Sequence, residues 1–382
     1  MKKQLFLNIV WILAAILCVS CSTPESQSET KAQIQLMTPS RSTSAPRNDP
    51  AVEYAKSLTL EQQIAQMFFI RCPENGTNEL LKQYNIGGLI LFGRDFKDET
   101  PDSLRDTISV YQQNAKTPLL IGVDEEGGTV VRASAYSAFR KSRFRAPQEL
   151  YAKGGLDEIV ADCAEKNTFL HDLYINVNLG PVCDISTDPS DFIYARSLGQ
   201  GAEETSKYAA AVVLQMRLDG IGSVLKHFPG YGNNADTHTG IAIDNRPLEQ
   251  FETSDFLPFE TGAKAGASAI LVSHNIINCM DATLPASLSP AVHQILREHL
   301  GSKIVVMTDD LIMEAITQYT DGADAAVLAV KAGNDMLISS DFTRQYQAVC
   351  NAVRQGMIRE EDILQHCIRV IRWKIDLGLI SE

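Results

Sequence analysis

Positive charge is in short supply in this chain. Its 382 residues carry 34 lysines and arginines against 47 aspartates and glutamates, a formal net charge of −13. Nucleic-acid binders need a basic face to neutralise phosphates, so no nucleic-acid partner is expected. Paired cysteine motifs are missing too. Two of the eight cysteines are Cys18 and Cys21; the others (Cys72, Cys163, Cys183, Cys279, Cys350 and Cys367) are scattered without a CxxC pair. That spacing announces no disulfide framework, and buried free thiols are expected. No glycine-rich dinucleotide fingerprint follows the first apolar run, and no HExxH zinc spacing occurs. Neither a bound cofactor nor a metal is therefore expected.

The N-terminus has an apolar run, Leu5–Val19, behind Lys2 and Lys3. It falls short of the ~20 residues of a comfortable membrane span and reads as a signal peptide over residues 1–20. The sequence Cys18-Val-Ser-Cys21 looks like a bacterial lipoprotein cleavage site. Cleavage there would leave Cys21 lipid-modified and the protein exported and membrane-anchored; the competing reading is an ordinary secretory signal cut nearby. Residues 21–49 are rich in Ser, Thr, Pro and Gln and read as a flexible tether. Residues 50–382 are then the folded part, within the usual size of one elaborated α/β barrel.

Within it, eight short apolar runs alternate with helical periodicity. They are Gln66–Ile70, Gly87–Phe92, Pro118–Val123, Ile175–Leu179, Gly222–Lys226, Ala269–Ser273, Lys303–Met307 and Asp335–Ile338. Helices are expected over segments such as Glu203–Leu218, Leu248–Ala265 and Ala323–Ala332, and over Arg344–Leu377 with a break near Gly356. Eight such units predict an α/β fold of the TIM type, a single (β/α)8 barrel; an open doubly wound sheet is the alternative.

Polar residues cluster just after these runs. Asp124-Glu-Glu-Gly-Gly follows the third, Asp184 the fourth, Lys226-His227 the fifth, Ser273-His274-Asn275 the sixth and Asp309-Asp310 the seventh. An aspartate before a helix is more often an N-cap than a catalyst. Five polar strand ends on one rim are harder to explain as caps, because in a barrel they converge on the face that carries active sites. Glycoside hydrolysis needs a nucleophile or base and a proton donor on either side of the bond. Asp309 is a candidate for the first role, although strand phase alone does not decide between it and Asp310. Asp236 and His238, spaced i, i+2, leave one side of an extended loop, where the carboxylate can orient the imidazole for acid and base work. The competing readings are a structural hydrogen bond or, with His227, a metal site.

These residues carry a resemblance. The chain resembles the single-domain bacterial β-N-acetylglucosaminidases of glycoside hydrolase family 3 from about Leu58 to Leu379. The shared motifs are Gly87-Gly-Leu-Ile-Leu-Phe92, Val123-Asp-Glu-Glu-Gly-Gly128 with Arg132, Ala195-Arg-Ser-Leu-Gly199 and Lys226-His-Phe-Pro-Gly230. They continue with Asp236-Thr-His238, Ser273-His274, Leu284-Pro-Ala-Ser-Leu-Ser289, Met307-Thr-Asp-Asp-Leu311 and Ala332-Gly-Asn-Asp-Met336. The resemblance implies retaining hydrolysis on a barrel, with Asp309 as nucleophile, His238 as acid/base and Asp236 as its dyad partner. It implies that Asp124, Arg132, Arg196, Lys226 and His227 hold a terminal N-acetylglucosamine, with His274 also lining the pocket. The implied partner is a glycan containing N-acetylglucosamine. Larger members of the family place a carboxylate acid on a second domain. Because this chain ends at Glu382, its proton donor is expected from the barrel or from a partner.

The chain also departs from the pattern. Tyr231 stands where the family usually has histidine, Thr129 replaces a frequent arginine, and the loop from Gly232 to Asp236 is about one residue short. These changes bear on loop geometry and substrate preference. Other readings are a β-glucosidase or a phosphorylase on the same barrel, and a glycan-binding lipoprotein without turnover. The Asp-Thr-His loop opposes the first, and the presence of all three dyad and nucleophile positions opposes the last.

Overall fold

The computed structural model describes residues 49–234 and 240–381. Eight short parallel strands form its centre: β1 Phe68–Arg71, β2 Gly88–Leu91, β3 Leu120–Val123, β4 Val177–Asn178, β5 Gly222–Phe228, β6 Ala269–Val272, β7 Val305–Thr308 and β8 Leu337–Ser339. Neighbours pair in that order, with β8 also beside β1. A parallel bridge between Met307 and Met336 joins β7 to β8 and closes the ring. The fold is therefore a TIM-type (β/α)8 barrel, and the open doubly wound sheet is set aside. All eight apolar runs hold a strand. The first starts two residues later than its run: Gln66 ends the preceding helix, and its buried amide donates to the Asn85 and Ile86 carbonyls.

Each strand is followed by a helix of the outer layer: Thr77–Gln83, Pro101–Asn114, Pro147–Asp172, Ala202–Leu218, Phe256–Lys264, Pro290–Leu300, Gly322–Ala332 and Phe342–Arg354. Local chemistry sets several of their starts. Thr100, Ser289 and Asp321 accept N-capping hydrogen bonds, and Pro101 and Pro290 occupy the first turn, where no amide donor is needed. Gly154 and Gly155 leave helical geometry and bend the long third helix. The final helix, Glu360–Asp376, is additional, and Gly356 at φ 73° lies in the break before it. A two-residue ribbon between Ile243–Asp244 and Ile276–Ile277 is not visible in the sequence periodicity.

Alternate strand residues fill the barrel. Phe69, Ile90, Leu120, Val177, Leu179, Val224, Leu271, Val305, Met307 and Ile338 form one buried cluster. Gly122 makes room for Phe69, because a Cβ there would lie 2.5 Å from its ring. Val370 and Trp373 of the last helix join that cluster, with Trp373 packed against Gly222 at the start of β5. The N-terminal end of the barrel is thus plugged, and the open face is the C-terminal one. The six cysteines in the described residues are free thiols, and only Cys279 is exposed.

Candidate active site

The C-terminal face holds a cavity of about 540 Å³. Ile90, Leu179, Leu271 and Ile338, from the barrel interior, line it alongside Asp124, Arg132, Arg196, Lys226, His227, Asp309 and Asp310. Six of the nine residues singled out as catalytic or sugar-binding therefore line one cavity. Asp236 and His238 lie outside the described residues, as does Cys21.

Lys226 organises the charge. It follows Val224 on the inward face of β5 and is 2% exposed. Its Nζ reaches Asp124 Oδ1 at 2.7 Å and Glu126 Oε1 at 2.6 Å. Pairing register with β6 shifts between Lys226 and Phe228, and the Lys226–His227 peptide bond is cis. Both side chains line the cavity, although strict alternation would send one of them outward.

Glu126 is the centre of the network, and sequence reasoning passed over it. Arg196 binds it through Nε at 3.0 Å and Nη2 at 2.8 Å, so one carboxylate serves two cations. Burial pushes its pKa up, but the Lys226 ammonium and the Arg196 guanidinium outweigh burial and hold it well below the usual carboxylate range. The same pairing raises Arg196 further, against the opposing effect of its burial. Glu125, also buried, shapes the loop: its carboxylate accepts from the amides of Arg132, Ala133 and Ser134 and from the Ser134 hydroxyl. The loop thereby brings Arg132 Nη2 to 3.4 Å from Asp124 Oδ2.

His227 is fixed from two sides. Its Nδ1 lies 2.7 Å from Asp184 Oδ2, which accepts, so the proton resides on Nδ1. Nε2 then accepts from Arg196 Nη2 at 3.1 Å, and the hydrogen-bond network assigns a neutral ring. Asp184 also accepts from the amides of His227 and Tyr231. This buried aspartate is a second residue that the sequence reading did not single out. It connects β4 to the start of the loop through which the chain runs toward residue 235.

Tyr231 is 1% exposed and stands behind His227, with ring centroids 5.2 Å apart in an edge-on arrangement. The loop is anchored beneath by Arg246, which pairs with Asp244 and Asp255 and donates to the Gly230 carbonyl at 3.0 Å. Gly230 has φ 118°, and a Cβ there would meet Asp255 Oδ1 at 2.6 Å.

Asp309 follows β7 directly. Its amide donates to the Val272 carbonyl, and its Oδ1 accepts from the Asp310 amide at 2.8 Å. The neighbouring Asp310 accepts from Ser340 and from the Ile312 amide, which marks it as the turn former. Burial raises its pKa against those hydrogen bonds. His274 is fully buried and is not among the residues that line the cavity. Its ring nitrogens contact Ser287 Oγ at 2.7 Å and the Asp310 carbonyl at 3.1 Å, behind the Asp309–Asp310 turn.

Known proteins share this arrangement of elements. A β-hexosaminidase from Tolumonas auensis is 33% identical over 270 residues, 68% of this chain and 77% of that protein. Beta-hexosaminidase A from Pseudoalteromonas piscicida is 28% identical over 78% of this chain, which spans 55% of that protein's length. The solved glycoside hydrolase family 3 β-N-acetylglucosaminidase from Paenibacillus sp. str. FPU-7 superposes with a TM-score of 0.79 at 28% identity. That likeness covers 85% of this chain and 64% of that one. Residues 59–373 match the glycosyl hydrolase family 3 N terminal domain, nearly the whole barrel, and the chain therefore belongs to that family.

Proposed function

We propose that the protein is an exported, exo-acting β-N-acetylglucosaminidase. Its reaction is hydrolysis of terminal N-acetylglucosamine from peptidoglycan fragments or related glycans, with retention of configuration. One observation carries the reading: Asp309 shares a cavity, plugged at its barrel end, with the hydrogen-bonding set Asp124, Arg132, Arg196 and Lys226. Such a pocket suits one terminal sugar, and its size lies within the usual range for ligand sites of ~300–1,000 Å³. The β-hexosaminidase relatives support the same substrate class.

In this mechanism the Asp309 carboxylate attacks the anomeric carbon. The glycosidic C–O bond breaks, and the leaving oxygen keeps the electron pair and takes a proton from His238. Water then gives its proton to His238, attacks the same carbon and releases Asp309. Two inversions give net retention. Asp236 holds the His238 ring in one tautomer and favours its charged form. The flanking residues support this assignment. Asn234 donates its amide to the Tyr231 carbonyl, next to His227, and a Cβ built on Gly240 would lie 3.5 Å from Oε1 of Gln318, which caps the short helix Glu314–Thr317.

The sugar-binding set acts through charge. Asp124 accepts hydroxyl hydrogens while Lys226, Arg132 and Arg196 donate, and contacts that strengthen as the ring flattens aid the reaction. His227 serves by holding Arg196. The N-terminal sequence supports export, with the chain tethered to a membrane through lipid on Cys21.

Release of nitrophenol from its N-acetylglucosaminide, by wild type and Asp309→Asn, tests the reading. Equal rates would remove Asp309 as nucleophile. Faster turnover of the glucoside would move the protein to the β-glucosidases, and a sugar phosphate formed on adding phosphate would make it a phosphorylase.

A further inference from the structure

The N-terminal face of the barrel, opposite the sugar cavity, carries a second cavity of about 500 Å³. Four cations line it, Arg217, Lys303, Arg369 and Arg372, against one acid, Asp376. That balance runs against the chain as a whole, whose net charge is −13. Arg369 is taken up by buried Asp335, and Arg372 pairs with Asp49. Arg217 and Lys303 are exposed, and neither makes a hydrogen bond or ion pair among the described residues. The cavity therefore presents two unanswered cations to whatever approaches this face.

The turns on this side form one continuous edge, because β4, β5, β6 and β7 are neighbours in the sheet. Tyr174 lies in the turn into β4, Arg217 and Leu218 in the approach to β5, and Lys303 in the turn into β7. Leu218 is 80% exposed; Tyr174 and Leu214, one helical turn before Leu218, are exposed as well. Apolar side chains beside unanswered cations suit the boundary between water and lipid headgroups, where tyrosine is also favoured. Acids are present too: Asp172 is exposed, whereas Asp219 is held by the Asn167 and Gln215 side-chain amides. The chain also enters the fold here, since Asp49, the first described residue, pairs with Arg372 in the cavity wall.

We propose that this face docks on a membrane surface containing anionic lipids, with Arg217 and Lys303 holding headgroup phosphates. The proposal rests on the tethered reading above and names the surface that the tether serves. A flexible chain as long as the stretch from Cys21 to Asp49 would span about 30 Å on average, which keeps the barrel close to the lipid. At the high local concentration that a tether imposes, a weak site suffices. Each cation near an anionic surface favours docking by a factor of roughly five. The same surface repels the acidic remainder of the barrel, so the attraction also orients the molecule. The C-terminal face, with the sugar cavity, then points away from the membrane and stays open to glycans.

Trp373 lines the cavity, and Trp11 is the other tryptophan of the chain, so Trp11→Phe makes Trp373 a local reporter. The full chain with that change is reconstituted with phosphatidylcholine vesicles, with or without about a third phosphatidylglycerol, each carrying some nitroxide-headgroup lipid. Flotation with neutral vesicles judges the tether, and quenching of Trp373 judges the docking. Strong quenching is expected on the anionic vesicles and little on the neutral ones. Arg217→Ala with Lys303→Ala should lower the docked-to-free ratio about thirtyfold, the product of two such factors, while Arg217→Lys with Lys303→Arg should keep it. Lys207→Ala should leave the quenching in place, because Lys207 already pairs with Glu203 and Glu204. Nitrophenol release in solution should be unchanged in all these variants, which shows them folded. Salt near 1 M should remove the quenching, as the screening length falls to about 3 Å. Equal quenching on both kinds of vesicle, or quenching unmoved by Arg217→Ala with Lys303→Ala, overturns the docking. So does quenching removed by inorganic phosphate at an ionic strength where sodium chloride leaves it intact, which marks a site for a soluble anion. A chain that fails to float with neutral vesicles but is quenched on anionic ones loses the tether and keeps the docking face; one that does neither loses both.

Discussion

Replacing Glu126 by alanine is the sharpest test of how the site is built. Its side chain is 3% exposed and holds Lys226, 2% exposed, and Arg196, 15% exposed. Alanine would leave Lys226 with Asp124 alone, while Arg196 would keep only its contact with neutral His227. Breaking a buried pair by removing one partner costs about 3–5 kcal/mol. An unfolding entropy of ~2.1 cal/mol/K per residue, over a domain of this size, gives a fall in Tm of roughly 4–7 °C. Glu126→Gln, which keeps the shape but faces Arg196 with a donor, should fall between alanine and wild type. Acid titration supplies a second arm. The folded pKa of Glu126 is depressed, so its stabilisation is complete above the unfolded value of ~4.3 and is lost as pH falls below it. Urea unfolding between pH 7 and pH 3 should therefore show wild type and Glu126→Ala converging as pH falls. A loss below about 1 kcal/mol at pH 7, or curves that stay parallel, would refute the buried-network argument.

Three further outcomes are expected. Lys374 is fully buried with its Nζ on Gln66 Oε1, and burial pushes its pKa down to about 7. The unfolded chain holds the extra proton between there and ~10.4, so stability should rise with pH across that window by up to ~1.4 kcal/mol per unit; Lys374→Met should abolish that slope in urea unfolding. Gly230→Ala forces a side chain into positive φ and against Asp255; it should cost roughly 1–3 kcal/mol in urea unfolding and lower kcat. His238→Asn should slow cleavage of chitobiose by about 10²–10⁴-fold while sparing nitrophenol release, since a good leaving group needs little protonation.

The barrel was legible because parallel strands buried on both faces read as continuous apolar runs. Glycine punctuation and capping residues then marked several helix ends. The two-residue ribbon was too short to show a period, and Gln66 looked like strand because it is buried for a different reason, its hydrogen bonds to Asn85 and Ile86. In the site, residues at strand ends were legible as a rim. Glu126 was not, because its meaning depends on Arg196, 70 residues away, and on Lys226. The pair of acids after β3 was its one sequence signal. Asp184 was visible only as a polar strand end, since its role is to fix a histidine 43 residues on. Tyr231 looked like a loop residue able to donate a hydrogen bond, yet its ring packs edge-on to His227. His274 carried the chemistry of a ligand but lies behind the turn it steadies.

The central claim is a covalent glycosyl ester on Asp309, and trapping tests it most directly. A 5-fluoro-N-acetylglucosaminyl fluoride should inactivate the enzyme by slowing release from the nucleophile. Peptide mass spectrometry is then expected to place one sugar on Asp309, with no labelling in Asp309→Asn. A label on Asp310 or elsewhere, or inactivation without an ester, would contradict the account.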